Sequence, residues 1–331
     1  MMSPTAAPHP LWEAAAAARL APSIHNSQPW RLVLTPDALQ VHADRDRQLR
    51  VADPEGRQLM LSCGCAVFNA RTALAARGYD AVVHRLPDPD DPSLVARLEL
   101  PARQSDWVPI AALEPHIARR HSNRSGFLDT SVAASVRYEL ACAARAEEAE
   151  LFEVREQTHR LSIARLSQQA DLRENTDPAY RQELTAWTTG DPRRKDRVPA
   201  MAVPYRNSVL SRISDAPSIR DFDTRRMGWI VDEDRSGAQE CILVLVTAAD
   251  KPLSWLRAGE ALQRVWLEAT RADYVMSLFS QVIDIADLRA RLRTDLGLAG
   301  YPQMVLRAGR AGVTPESSRR DLDEILTVTA E

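Results

Sequence analysis

Cysteine is scarce in this chain: four thiols in 331 residues do not make a disulfide framework, and a reducing cytoplasm is the default setting. A dominant charge is missing too. The 42 Lys plus Arg nearly balance 45 Asp plus Glu, so no global field draws the protein to nucleic acid or an anionic membrane. A phosphate ligand would need arginines gathered locally. The longest apolar runs, such as Cys241 to Ala249, fall short of the roughly 20 residues that span a bilayer. The N-terminus carries Pro4, Pro8 and Pro10 without an early basic cluster and does not read as a signal peptide.

Several signatures of common chemistries are absent. No G-x-G-x-x-G follows a predicted strand and no G-x-x-x-x-G-K-[ST] occurs, which removes support for a Rossmann dinucleotide site and for a P-loop. G-x-S-x-G is also missing, and with it the usual α/β-hydrolase elbow. Cys63-Gly64-Cys65 has no second Cys/His pair at ligand spacing, so no metal is expected.

An internal repeat stands out among what is present. Gly64, Ala66, Val67, Ala70, Leu74, Gly78 and Tyr79 recur in register as Gly259, Ala261, Leu262, Val265, Ala269, Asp273 and Tyr274. Both segments place apolar residues at three- and four-residue steps, with Arg71 and Arg77, or Glu260, Arg264 and Glu268, off that stripe, which predicts two amphipathic helices. Gly78 suits the left-handed residue that ends a helix, and Asp273 tolerates the same place. An extended apolar stretch precedes each helix, Trp30 to Leu34 and Glu240 to Thr247. The chain therefore reads as two related halves, 1–112 and 113–331.

Strands fill out the scaffold. Trp30 to Leu34 and Leu39 to His42 flank the turn Thr35-Pro36-Asp37, Leu94 to Leu100 alternates, Ile242 to Val246 is a buried run, and Gln303 to Ala308 closes the set. Strands interleaved with long helices predict an α+β fold in a layered α/β arrangement. Thr188 to Arg226 stands apart, with four prolines and the run Arg193-Arg194-Lys195-Asp196-Arg197. A long stretch without clear elements but with apolar anchors such as Met201, Tyr205 and Leu210 reads as a lid.

Two polar fragments carry the chemistry. Pro22 stops the first helix, so Ser23, His25, Asn26, Ser27 and Gln28 lie on a polar turn before the strand at Trp30, where backbone N–H and side-chain amides can meet the edge of a flat heterocycle. Arg119-Arg120-His121-Ser122-Asn123-Arg124 packs guanidinium, imidazole and hydroxyl groups suited to phosphate. A third basic element comes late, at Ser318-Arg319-Arg320.

Both fragments resemble those of the FMN-dependent nitroreductase family, whose signatures are P-S-x-x-N-x-Q-P-W and R-[HR]-S-x-[RK]-x-F. The resemblance covers nearly the whole chain. It is closest to the fused Acg-type subgroup, which shares S-x-x-N-S-Q-P-W, R-x-S-N-R and P-Q-M-[VL]-L-R-x-G, the last at Pro302 to Gly309. It implies one FMN held by Ser23, His25, Asn26 and Gln28 on one side and by Arg120, His121, Ser122 and Arg124 on the other, with Arg319 or Arg320 as a further phosphate ligand. Each fragment occurs once, so the resemblance implies an intramolecular pseudo-dimer, monomeric in solution, with a single surviving site. Where ordinary nitroreductases carry a P-x-G-G loop facing flavin N5, this chain has Leu278 to Ile283, including Ser280 and Gln281. The implied activity is ping-pong hydride transfer from NAD(P)H through FMN to a nitro or quinone acceptor, with no side chain required as general base. The alternative is an FMN-sequestering protein with little turnover.

Overall fold

The computed structural model describes residues 9–124, 126–191, 193–199, 204–205, 230–231, 241–312 and 316–329. In chain order the elements of the first half are α1 (Pro10–Ala18), β1 (Trp30–Leu34), β2 (Ala38–Ala43), α2 (Arg57–Ala76), β3 (Val82–Arg85) and β4 (Leu94–Glu99). The second half begins with α3 (Ala134–Arg145), β5 (Glu150–Glu153), α4 (Gln157–Thr176) and α5 (Pro178–Ala186). Two short parallel pairs follow, β6 (Thr188–Thr189) with β7 (Val198–Pro199) and β8 (Pro204–Tyr205) with β9 (Ile230–Val231). The chain continues through β10 (Cys241–Thr247), α6 (Pro252–Arg271), β11 (Val275–Phe279), α7 (Gln281–Asp284), α8 (Ala286–Asp295) and β12 (Tyr301–Gly309), and ends in β13 (Leu326–Val328). This is the expected α+β composition.

Two main sheets share one design. The first runs β13-β1-β2-β4-β3 and the second β11-β12-β10-β5. Counting the four strands of each half as they occur, both sheets follow the order third, fourth, second, first, with antiparallel neighbours throughout. Even the irregularity repeats, since the second and fourth strands slip register once in each sheet, at Val41/His42 and at Leu245/Val246. The exception is β13, which crosses from the end of the chain to add parallel to β1, with the Leu32 N–H donating to the Ile325 carbonyl at 2.7 Å. The first sheet thus borrows its edge strand from beyond residue 113.

Helices α2 and α6 cross at the centre, and the two glycines of the repeat meet there. A Cβ on Gly64 would stand 2.0 Å from the Leu256 carbonyl oxygen, and one on Gly259 would stand 2.0 Å from that of Leu61. The contact is reciprocal, and only glycine permits backbones this close. Both helices end as their sequences predict: Gly78 (φ 79°) and Asp273 (φ 59°) are left-handed, and the next residues, Tyr79 and Tyr274, donate back to Leu74 and Ala269 at 3.0 and 2.9 Å. At the start of α2 the buried Asp53 carboxylate accepts from the Gln58 and Leu59 N–H groups at 3.0 and 2.9 Å, which satisfies two donors that lack intrahelical partners. Arg57–Ala76 is the one helix, among the described residues, long and apolar enough to cross a membrane by length and composition, though polar residues interrupt it, and 89% of its most apolar 18 residues is buried within the fold. Its apolarity serves packing against α1, α6 and the first sheet, which leaves few positions for charge.

Candidate cofactor site

The turn between α1 and β1 is built under strain. His25 (φ 47°), Asn26 (φ 54°) and Gln28 (φ 50°) all adopt the left-handed conformation, at about 1–2 kcal/mol each for residues with a Cβ. Side-chain bonds offset that cost. The Gln28 N–H donates to Ser23 Oγ at 2.9 Å, and the Ile24 N–H donates to Ser62 Oγ of α2 at 3.2 Å. Asn26 Nδ2 donates to the Arg197 and Ser318 carbonyls at 3.0 and 3.1 Å. Gln28 Nε2 donates to the Lys195 carbonyl at 2.9 Å, while its Oε1 accepts from the Arg320 N–H at 2.8 Å. Three distant segments are thereby knotted together: the turn, residues 195–197 and the C-terminal arm. Arg47 tightens the knot, with Nε on the Ser27 carbonyl and a guanidinium N–H on Asp196, both at 2.6 Å, and Lys195 pairs with Asp321.

Opposite this turn, residues 122–124 run along the edge of the second sheet. Ser122 forms a parallel bridge with Met276, the Asn123 N–H donates to the Met276 carbonyl at 2.9 Å, and Ser277 Oγ donates to the Asn123 carbonyl at 2.7 Å. A cavity lies between the two fragments, with about 810 Å³ of space when the open water at its mouth is included. Its walls are Pro22, Ser23, Ile24 and His25 from the turn, Gln58, Leu61, Ser62 and Cys65 from α2, Ser122, Asn123 and Arg124, then Leu262, Ser277, Leu278, Ser280, Gln281 and Met304. Apolar side chains alternate with hydroxyls and amides, and among the described residues that line the cavity none is a carboxylate.

Of the residues expected at the site, Ser23, His25, Ser122, Arg124, Ser280 and Gln281 line this cavity. Asn26 and Gln28 do not; their amides are occupied in the knot described above. Arg120 is buried behind the wall, its guanidinium 4.7 Å from the centre of the Trp266 ring, with Nε lacking a hydrogen-bond partner. His121 sits off the wall, and burial and then the Arg120 charge lower its imidazole below the usual histidine range. The two candidates at the C-terminal arm differ sharply. Arg320 turns to Glu324, with Nε 3.3 Å from the carboxylate. Arg319 turns inward, donating from Nε to the Ala21 carbonyl at 3.0 Å, and burial followed by the fields of Arg120, Arg124 and Arg19 lowers its guanidinium to about 9. Burial also lowers Arg120 and Arg124 to about 10 each. Like charges held in partial desolvation near one another are costly, and an anion relieves that cost.

Sequence reading missed the contribution of α2. Gln58, Ser62, Cys65, Asn69 and Thr72 recur at intervals of three or four along a helix that is otherwise largely apolar; that polar stripe was the available signal, and its first three members line the cavity. Cys65 is no nucleophile there, since burial raises its thiol to about 12 and Sγ donates to the Gly259 carbonyl at 3.2 Å. Of the expected lid at Thr188 to Arg226, residues 192, 200–203 and 206–226 lie outside the described residues.

Comparison with known proteins gives the family. No protein-family model matches the chain. The chain is 34% identical over 313 residues to "Putative NAD(P)H nitroreductase Rv3131" of Mycobacterium tuberculosis H37Rv, covering 92% of this chain and 88% of that protein. It is 28% identical over 326 residues to "Putative NAD(P)H nitroreductase acg" of the same organism, with 94% and 93% covered. Among solved structures, a nitroreductase with bound FMN from Desulfitobacterium hafniense DCB-2 aligns with 66% of this chain and 98% of its own, at 15% identity and a TM-score of 0.39. The chain belongs to the nitroreductase-like family that includes the Acg type.

Proposed function

We propose that the protein is an FMN-binding flavoprotein of the nitroreductase type, with one flavin in the cavity between the Ser23–His25 turn and the Ser122–Arg124 strip. The observation that carries this reading is the cavity's electrostatics: Arg124 on the wall, with Arg120 and Arg124 close enough for Arg319 to feel their charge, and no carboxylate among the described residues that line it. Such a site fits a ligand with a phosphate at one end and a flat, hydrogen-bonding ring at the other. Family membership and the FMN reported in structures of nitroreductases support the same assignment.

In this reading Arg124 and Arg319 hold the phosphate, and Arg120 adds its charge from behind the wall. Ser23, His25, Gln58, Ser122 and Gln281 offer hydrogen bonds to ring and ribityl groups, while Leu61, Leu262 and Leu278 pack ring surface and exclude water. Bound FMN would supply hydride chemistry between a reduced nicotinamide and a nitro or quinone acceptor. The chain's own contribution is orientation and charge, with Ser280 and Gln281 at the start of α7 in the stretch where related enzymes carry P-x-G-G.

One observation favours the sequestering alternative. Residues 195–197, at the base of the proposed lid, are tied to the cavity's turn by Asn26, Gln28 and Arg47, a contact suited to retention more than exchange. Flavin titration tests the binding assignment: FMN should bind more tightly, by about tenfold or more, than riboflavin, which lacks the phosphate, and Arg124→Ala should sharply reduce that preference. Equal affinities in the wild type would refute it. Anaerobic mixing of the FMN-loaded protein with NADH or NADPH then separates the two readings, since a reductase bleaches the flavin absorbance and a sequestering protein leaves it.

A further inference from the structure

The cavity wall formed by α2 has a support that no sequence motif announces. Gln58 faces the cavity, and behind it lies the ion pair of Arg57 and Asp284, 2% and 3% exposed and 3.0 Å apart. Asp284 Oδ1 also accepts from Gln58 Nε2 at 2.5 Å. Arg57 is held in turn by the Gln303 carbonyl and Oε1, at 2.8 and 3.2 Å. A carboxylate only accepts hydrogen bonds, so the Gln58 carboxamide must present its NH2 to Asp284, and the reversed orientation would set two oxygens against each other. The Gln58 Oε1 has no hydrogen bond to another described residue.

The geometry points to Asp284, braced by Arg57, as a positioning residue that locks the Gln58 carbonyl toward the cavity, so that this wall selects a ligand ring carrying an N–H donor. The inference rests on the FMN reading and deepens it. The pyrimidine part of a flavin carries one imide N–H between two carbonyls, and a wall free to flip its amide would accept either kind of group. With the flip forbidden, a ring alkylated at that nitrogen leaves the Gln58 oxygen buried and unpaired, which costs more than the bond itself is worth. Gln281 has a parallel arrangement, its Nε2 donating to Asp171 Oδ1 at 2.7 Å, so a second wall amide is also held from behind by a carboxylate.

Titration of FMN and of its N3-methyl derivative into the full-length protein, followed by quenching of flavin fluorescence, tests this. The wild type should prefer FMN by about tenfold or more. Gln58→Leu should bring the preference close to one. The paired change Arg57→Met with Asp284→Leu removes both members of the ion pair together, so neither is left buried without the other, and it should lower the preference while Gln58 remains in place. A purely structural role for Asp284 would weaken both ligands alike and leave the ratio unchanged, which would overturn the inference, as would a wild type that binds both flavins equally. Wild-type protein that takes up neither flavin would overturn the FMN reading and this inference with it.

Discussion

Arg319 and Arg320 are neighbours in sequence with opposite surroundings, and the cause is where the C-terminal arm is pinned. Gln28 Oε1 holds the Arg320 N–H and Asn26 holds the Ser318 carbonyl, so the side chain between those two anchors turns toward Ala21 and the Arg120–Arg124 charges. Arg319→Ala should therefore weaken FMN binding about 10- to 100-fold, the worth of a charge-assisted hydrogen-bond pair, whereas Arg320→Ala should change it less than about threefold. Equal losses in the two titrations would contradict the assignment. The same site has a definite pH dependence. Burial and like charge lower the Arg319 guanidinium to about 9, and a bound phosphate favours the protonated form and raises it again. FMN affinity should be full at pH 7 and should fall as pH rises through about 9, with the Kd measured between pH 7 and 10.5; a flat profile would show that Arg319 does not meet the anion.

The elements that shape the cavity depend on one helix crossing. Gln58, Leu61, Ser62 and Cys65 on α2 and Leu262 on α6 come together because Gly64 and Gly259 let the two backbones touch. Gly64→Ala sets its Cβ against a backbone oxygen, which cannot rotate aside, so the helices must separate. Loss of roughly 3 kcal/mol or more of stability is expected, read as a lowered midpoint in thermal or urea denaturation, together with loss of flavin uptake. Gly312→Ala, where the added Cβ meets nothing among the described residues within 4 Å, is the control and should leave both unchanged. Helix periodicity, the glycine match and the left-handed residues after each helix were all legible in the sequence, since each depends on a few consecutive residues. That β13 completes the other half's sheet was not, because a three-residue strand of ordinary composition carries no mark of its partner.

Across the whole molecule the repeat has two junctions, and they have been filled differently. The residue after Gly64 is Cys65, which lines the cavity; the residue after Gly259 is Glu260, fully buried and bound by Arg71 at 2.6 Å and by Arg85 at 2.5 and 2.9 Å. Glu147 joins the same cluster through Arg71 and Arg264. Ion pairs thus occupy the junction where the repeat would put a second site. One FMN per chain is the expected stoichiometry, and the two halves already meet within one chain, so a monomer is expected in solution. Flavin absorbance against protein concentration, combined with light scattering, checks both; two flavins per chain, or an obligate dimer, would refute the pseudo-dimer reading.

The sequence by itself determined the layered α+β class, the two repeated helices with their ends, and the two fragments that border the cavity, because periodicity, capping and short polar motifs are local properties. Tertiary structure alone decided which of those side chains face the ligand space. The motif around Pro22 to Trp30 names Ser23, His25, Asn26 and Gln28 alike, yet the backbone at residues 25, 26 and 28 is left-handed and turns Asn26 and Gln28 to partners 171 and 292 positions away for Asn26, and 167 and 292 for Gln28. Which amide meets solvent, ligand or a distant carbonyl depends on those partners, and no run of neighbouring residues encodes them.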